Sequence, residues 1–279
     1  MKKYLPRIVG SYYNLLGLIA REKATQKAFD LFCQPKIGRL TPLDQQFLVT
    51  AERERLLSSD SGQIKAYEWN TKGVKTILLL HGWESNSARW ENLIRLLLQD
   101  DHHVVAIDAP AHGGSEGTHF NMILYGNFID VAHRTFQPYF TVGHSVGGGS
   151  LAYYLSHYDG PKPERIALLG VPSELEQMLQ YYARIIGLGT RNVQSLREYI
   201  ILHTGRAIRY FSVKKFCDQI KLPTLIVCDS QDTVAMFTDS EAYHKIIPVS
   251  ELVLTTGLGH SLQGAEVYQR IRAFFPNGI

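Results

Sequence analysis

Phe140-Thr141-Val142-Gly143-His144-Ser145-Val146-Gly147-Gly148 joins a short apolar run to a helix-compatible one through a serine flanked by glycines. A bare GxSxG arises by chance in roughly one chain of this length in ten, so its flanks matter. With a strand before it and a helix after it, Ser145 sits in a sharp turn that lifts its hydroxyl clear of the sheet. A Cβ at either flanking glycine would strike the neighbouring strand or helix. A glycine-rich phosphate loop is the competing reading, but no Lys-Ser/Thr pair follows and no GxGxxG is in register.

A serine hydroxyl is a weak nucleophile at neutral pH and needs a base to take its proton. Of the eleven histidines, His260 follows the last expected strand directly, in Thr255-Thr256-Gly257-Leu258-Gly259-His260 ahead of the final helix. A loop at the C-terminal edge of a strand lets an imidazole reach across to the serine. The base in turn needs a carboxylate to hold its tautomer and to offset the charge it acquires. Asp229 and Asp232 both follow the penultimate strand. Asp232, deeper in the loop with Val234 placed to pack beneath it, is the favoured acid, and Asp229 is expected to cap the turn. Attack on a carbonyl makes an oxyanion, for which the backbone N–H groups of Val146 and Trp83 are the candidate donors. His81, beside the strand end that precedes Trp83, is expected to make a structural hydrogen bond.

Working outward, apolar runs recur at Thr76–Leu80, Val104–Ile107, Phe140–Val142, Ile166–Leu169, Leu225–Cys228 and Leu252–Leu254, with a part-buried edge strand near Gln63–Trp69. Continuous apolar runs are what a parallel sheet covered on both faces requires. Helical spacing lies between them at Trp90–Leu98, Met122–Phe136, Gly147–His157, Glu241–Ile247 and Ala265–Phe275. This alternation predicts an α/β fold with a doubly wound, mostly parallel sheet. It breaks between about residues 172 and 221, a helical stretch rich in aromatics that reads as a small cap inserted above the strand ends, where ligands bind in such sheets. Tyr181, Tyr182 and Phe211 of that insertion, together with His144, are the candidate substrate-binding residues; an aromatic stripe at helical spacing also suits a core.

Residues 1–61 read as an N-terminal helical extension packing on the core domain of residues 62–279. Thr41, Pro42 and Asp44 give three helix-start signals together. Leu5, Ile8, Val9, Tyr12, Leu16 and Ile19 fall on one helical face after Lys2 and Lys3. That segment is too short to span a bilayer and lacks a signal-peptide cleavage pattern; docking on the domain or lying on a membrane surface or partner are its two readings. The charge of +3 is spread without runs, which implies no nucleic-acid partner. Three cysteines without CxxC spacing imply neither a disulfide framework nor a zinc site and fit a reducing cytoplasm.

With these residues assembled, the chain resembles the α/β-hydrolase superfamily, in particular its single-domain serine hydrolases of the lipase and carboxylesterase kind. The motifs are HGW at His81–Trp83, DAPAHGGS at Asp108–Ser115, GHSVGG at Gly143–Gly148, DSQD at Asp229–Asp232 and GLGH at Gly257–His260, within residues 63–276. The resemblance implies that the first motif shapes an oxyanion hole, that Asp108 and His112 organise a turn, and that the last three carry nucleophile, acid and base. Serine in place of aspartate disfavours epoxide hydrolase and haloalkane dehalogenase chemistry, and the absence of HGGG and HGGPG disfavours hormone-sensitive-lipase and proline-iminopeptidase types. The expected activity is cleavage of a small or medium carboxylic ester through an acyl-enzyme. A thioesterase, an amidase, a carbon–carbon-bond hydrolase and a binding module that has lost catalysis remain as alternatives. The chemistry needs no metal and implies no cofactor; oligomeric state stays open.

Overall fold

The computed structural model describes residues 5–275; Lys2, Lys3 and the end of the resemblance at Pro276 lie outside them. In chain order the elements are α1 (Leu5–Ile19), α2 (Arg21–Cys33), α3 (Pro42–Leu48), β1 (Arg53–Ser59), β2 (Gly62–Trp69), β3 (Thr76–Leu80), α4 (Glu91–Leu97), β4 (His103–Ile107), α5 (Met122–Phe136), β5 (Phe140–His144) and α6 (Val146–His157). Then follow β6 (Arg165–Leu169), α7 (Leu175–Ile186), α8 (Thr190–Thr204), α9 (Val213–Cys217), β7 (Thr224–Asp229), α10 (Phe237–Ile246), β8 (Ser250–Thr255) and α11 (Ala265–Phe274).

The eight strands form one sheet in the order β1-β2-β4-β3-β5-β6-β7-β8. Six are parallel; β1 and β2 enter antiparallel. Ile77, Leu78, Leu79 and Leu80 of β3 are all fully buried, as a strand covered on both faces demands. One face carries α3, α4 and α11 over a core that includes Phe47, Trp90, Ile94 and Ile271, and α5, α6, α9 and α10 pack together on the other. The winding reverses at β3: β4 lies to one side of it and β5 to the other. Loops leaving β3 and β5 therefore diverge and open a crevice at their C-terminal ends, the place where open α/β sheets bind ligands.

The edge strand at the antiparallel end is β1, one place outside the β2 run expected to be the edge. Arg53-Glu54-Arg55-Leu56-Leu57-Ser58-Ser59 has little apolar pattern to announce it, because only one face of an edge strand is covered. Leu57 is buried while Leu56 is exposed. Its pairing with β2 comes from a two-residue hairpin loop, Asp60–Ser61, which sets Ser59 opposite Gly62.

The chain divides into two compact units, one of residues 1–34 and 173–212, the other of residues 35–172 and 213–279. This differs from the division at residue 61: α3 and β1 belong with the sheet, and α1 and α2 belong with the inserted helices α7 and α8. Small residues explain the second grouping. A Cβ on Gly10 would stand 1.8 Å from the Ile186 carbonyl oxygen, and one on Gly17 would stand 2.4 Å from Asn192 Oδ1. Asn14 donates to the Gly187 carbonyl and accepts from the Gly189 N–H at 2.9 and 2.8 Å. The face expected to dock is thus turned the other way, with Ile8, Tyr12 and Ile19 exposed and Val9 and Leu16 half-buried. Glu174 closes the base of the insertion, accepting hydrogen bonds from the Ser173 and Ser212 hydroxyls at 2.8 and 2.7 Å, while the Leu175 N–H donates to the Phe211 carbonyl at 3.1 Å.

Candidate active site

Ser145 stands between the last residue of β5 and the first of α6, with φ 53° and ψ −126°. A positive φ on a residue with a Cβ is strained, and the neighbours show why no other path is open. A Cβ on Gly143 would meet the Gly148 Cα at 2.6 Å, and one on Gly147 would meet the His81 carbonyl oxygen at 2.4 Å. The Ser145 N–H donates to the Leu169 carbonyl at 2.8 Å, which ties the turn to β6. Val146 opens the helix, where the first amides have no intrahelical carbonyl to bond. The loop after β3 passes close by: a Cβ on Gly82 would lie 2.9 Å from the Ser145 Cβ.

His260 comes from the loop after β8. Its Nε2 lies 2.9 Å from Ser145 Oγ and its Nδ1 lies 2.8 Å from Asp232 Oδ2. Asp232 belongs to the loop after β7, and its side chain is fully buried. The second oxygen accepts from the Val234 and Ala235 N–H groups at 2.7 and 3.0 Å. Val234 thus bonds Asp232 through its backbone; its side chain is exposed rather than packed beneath the carboxylate. Both lone-pair-bearing oxygens are engaged, so a buried charge on this group has hydrogen bonds on every side the fold presents.

Asp229 is occupied elsewhere. It accepts from the Gln231 N–H, the Thr255 hydroxyl and the Leu258 N–H at 2.9, 2.8 and 3.0 Å. Burial raises its pKa, but these bonds outweigh it and hold the carboxyl below the usual range. The same bonds attach the loop after β8 to β7.

The histidines at the strand ends act as neutral connectors. His81 Nδ1 donates to the Gly82 carbonyl at 2.7 Å and Nε2 accepts from the Ala109 N–H at 2.8 Å; burial pushes its pKa down to about 4. His112 accepts from the Glu84 N–H at 3.0 Å and bonds the Pro110 carbonyl at 2.9 Å. Asp108, buried, accepts from the Ser87 and Gly114 N–H groups at 2.8 and 2.7 Å. Trp83 turns its ring edge toward His112 and Phe120, with centroids 5.4 and 5.6 Å away.

Of the four candidate substrate-binding residues, His144 is buried, and its Nε2 bonds the His260 carbonyl at 2.8 Å. Burial drives its pKa well below the ordinary value, so the ring is neutral and Nε2 is the donor. Its contact is with the backbone of His260. Tyr181, Tyr182 and Phe211 belong to the helical unit. Tyr182 donates its hydroxyl to the Ala28 carbonyl at 2.9 Å, Phe211 is buried, and Tyr181 lies under Arg184 at 5.4 Å.

Three further groups around His260 were not singled out by sequence. Arg89 donates from Nη2 to the Ser261 carbonyl at 2.8 Å, and Gln263 donates to the Arg89 carbonyl at 3.3 Å. Gly170, at φ 53°, takes a backbone conformation that side chains rarely adopt, and a Cβ there would press on Leu262 Cδ1 at 3.1 Å beside Asp232 and His260. Gly170 follows β6 directly, and a glycine immediately after a strand end was the available signal. Among the described residues no group of three or more His, Cys, Asp or Glu is placed to hold a metal ion.

The family model described as alpha/beta hydrolase fold matches residues 75–184, the stretch that carries the loop after β3 and the turn at Ser145. Over that stretch the chain matches the α/β-hydrolase family. The chain is 27% identical over 158 residues to a non-heme haloperoxidase of Rhodococcus erythropolis, covering 53% of this chain and 54% of that protein. It is 28% identical over 193 residues to a probable serine hydrolase of Drosophila melanogaster, covering 62% and 50%. The matches span about half the length of these two relatives. The structure of an esterase from Pyrococcus furiosus superposes with a TM-score of 0.60 at 20% identity, over 86% of this chain and 95% of that one, a likeness of fold.

Proposed function

We propose that this α/β hydrolase is a serine hydrolase that cleaves a small or medium carboxylic ester, with Ser145 as nucleophile, His260 as base and Asp232 as acid. One observation carries the reading: the unbroken line from Ser145 Oγ through both ring nitrogens of His260 to Asp232 Oδ2, at 2.9 and 2.8 Å. As Oγ bonds to the ester carbonyl carbon, its proton passes to His260 Nε2, and the carbonyl π electrons move onto oxygen. The N–H groups of Val146 and Trp83 receive that oxyanion; a single such donor contributes roughly 10²–10³ in rate. Asp232 holds the imidazole with Nδ1 protonated and offsets the charge of the imidazolium. Collapse breaks the bond to the alkoxy group, which leaves with the proton from Nε2. Water, deprotonated by the same nitrogen, then attacks the acyl-enzyme, and the carboxylic acid departs as Oγ regains its proton.

Curated relatives are named for serine hydrolase and monoacylglycerol lipase activity, which supports hydrolysis of an ester by this chain. The three cysteines are buried and unbridged, in keeping with action in the cytoplasm. A series of p-nitrophenyl esters of rising acyl length tests the proposal. Turnover should fall by about 10⁶ in Ser145→Ala, together with loss of covalent labelling by a fluorophosphonate; equal labelling of Ser145→Ala refutes it. Ester, thioester and amide of one acyl group are then compared, and a thioester preference replaces the esterase assignment.

A further inference from the structure

Helix α1 packs inside out. Its buried side is made of Gly10 and Gly17, and the opposite side presents Ile8, Tyr12, Leu15 and Ile19 at relative exposures of 62, 51, 66 and 87%. These four recur at i, i+4, i+7 and i+11, so they form one stripe along the helix, and exposed Leu18 widens it. Scattered apolar residues on a surface need no explanation, but a contiguous stripe of large ones does. No acidic residue occurs in α1. The helical unit as a whole carries eleven lysines and arginines against five acidic residues, a net charge of +6, which leaves −3 for the sheet unit.

We infer that the exposed stripe of α1 docks the helical unit onto an anionic lipid surface, with the helix lying in the plane of the interface. Burying aliphatic side chains among acyl chains supplies the apolar part of the attraction, and the excess of cations on the same unit supplies the electrostatic part. A second copy of the chain fits this face poorly, because its approach would bring together two units each carrying +6. Among the described residues no helix is long and apolar enough to cross a membrane, and the fifteen described residues of α1 rise only about 22 Å. The inference stands apart from the assignment of Ser145 chemistry, and either can fail alone.

The experiment is flotation of the full chain with vesicles of phosphatidylcholine alone or with about one-third phosphatidylglycerol. Wild type should float with the anionic vesicles and remain below with the neutral ones, and raising salt from about 0.1 to 1 M should release it as the screening length falls from ~10 to ~3 Å. Ile8→Ser/Leu15→Ser/Ile19→Ser should lower partitioning at least about a hundredfold, with circular dichroism and fluorophosphonate labelling unchanged. If that variant does not fold, Lys23→Glu/Lys27→Glu takes its place, with an expected loss of about tenfold or more. Failure of wild type to float, or equal flotation of the variants, overturns the inference. So does a wild-type dimer in light scattering that the serine variant dissolves without any vesicle binding, which would assign the stripe to self-association.

Discussion

The contact of α1 with α7 and α8 and the loop that carries His260 solve opposite problems. At Gly10 and Gly17 two backbones meet because side chains are missing. Around His260 the chain is open: a Cβ on Gly257 or Gly259 would touch nothing within 4 Å. Position there comes from hydrogen bonds instead, with His144 on the His260 carbonyl, Arg89 on the Ser261 carbonyl and Asp229 on the Leu258 N–H. Steric fit holds a surface at a fixed distance but does not aim an individual ring. Directional bonds to successive peptide groups do aim it, and the approach of His260 Nε2 to Ser145 Oγ at 2.9 Å requires that.

The largest test of the polar side of this contrast is acid. Burial lowers His81 to about 4 and His112 and His133 to about 3, against about 6.5 in an unfolded chain. Their folded values are depressed, so between pH 6.5 and about 4 the unfolded chain binds protons that the folded one does not, and stability falls as pH falls. The loss approaches about 1.4 kcal/mol per pH unit for each ring. His144, which burial also holds well below the ordinary value, adds to these three, so urea unfolding followed from pH 7 to 4.5 should show a proton difference of about three or more, and a flat profile would place these rings in water. Next in size is Gly10→Ala, expected to destabilise by about 3 kcal/mol or more because the obstacle is the backbone of Ile186; a shift of thermal midpoint near zero would break the steric half of the contrast. Arg89→Ala should reduce kcat about tenfold at nearly constant KM, with partial recovery in Arg89→Lys, since it supports the loop and not the substrate. Smallest is Ile8→Ser, which faces outward and should change stability by less than about 0.5 kcal/mol.

Legibility in the sequence followed the same divide. Strands β3 to β8 and the loops at Ser145, Asp232 and His260 are readable because a buried parallel strand is apolar throughout and its C-terminal end is marked by glycine and polar residues. The separation of Asp232 from Asp229 also has a local cause, for Asp229 is consumed by N–H groups of its own turn and the neighbouring strand. Of the two readings for the apolar face of α1, docking on the domain does not fit, because periodicity weighs large apolar residues and gives no pull to the glycines that make the contact. Strand β1, with charges at Arg53, Glu54 and Arg55, depends on pairing with β2 and has little pattern of its own. Arg89 and Gln263 act on carbonyls that belong to no motif, and such contacts leave no trace in residue order.

The antiparallel bridge between Glu174 and Ser212 brings the two stems of the inserted helices within one strand spacing, about 5 Å. A segment whose entry and exit adjoin in this way is a module in the engineering sense. Residues 175–211 can therefore change in length without lengthening any connection elsewhere in the chain, and α1 and α2, which pack on α7 and α8, are the elements such a change would unseat.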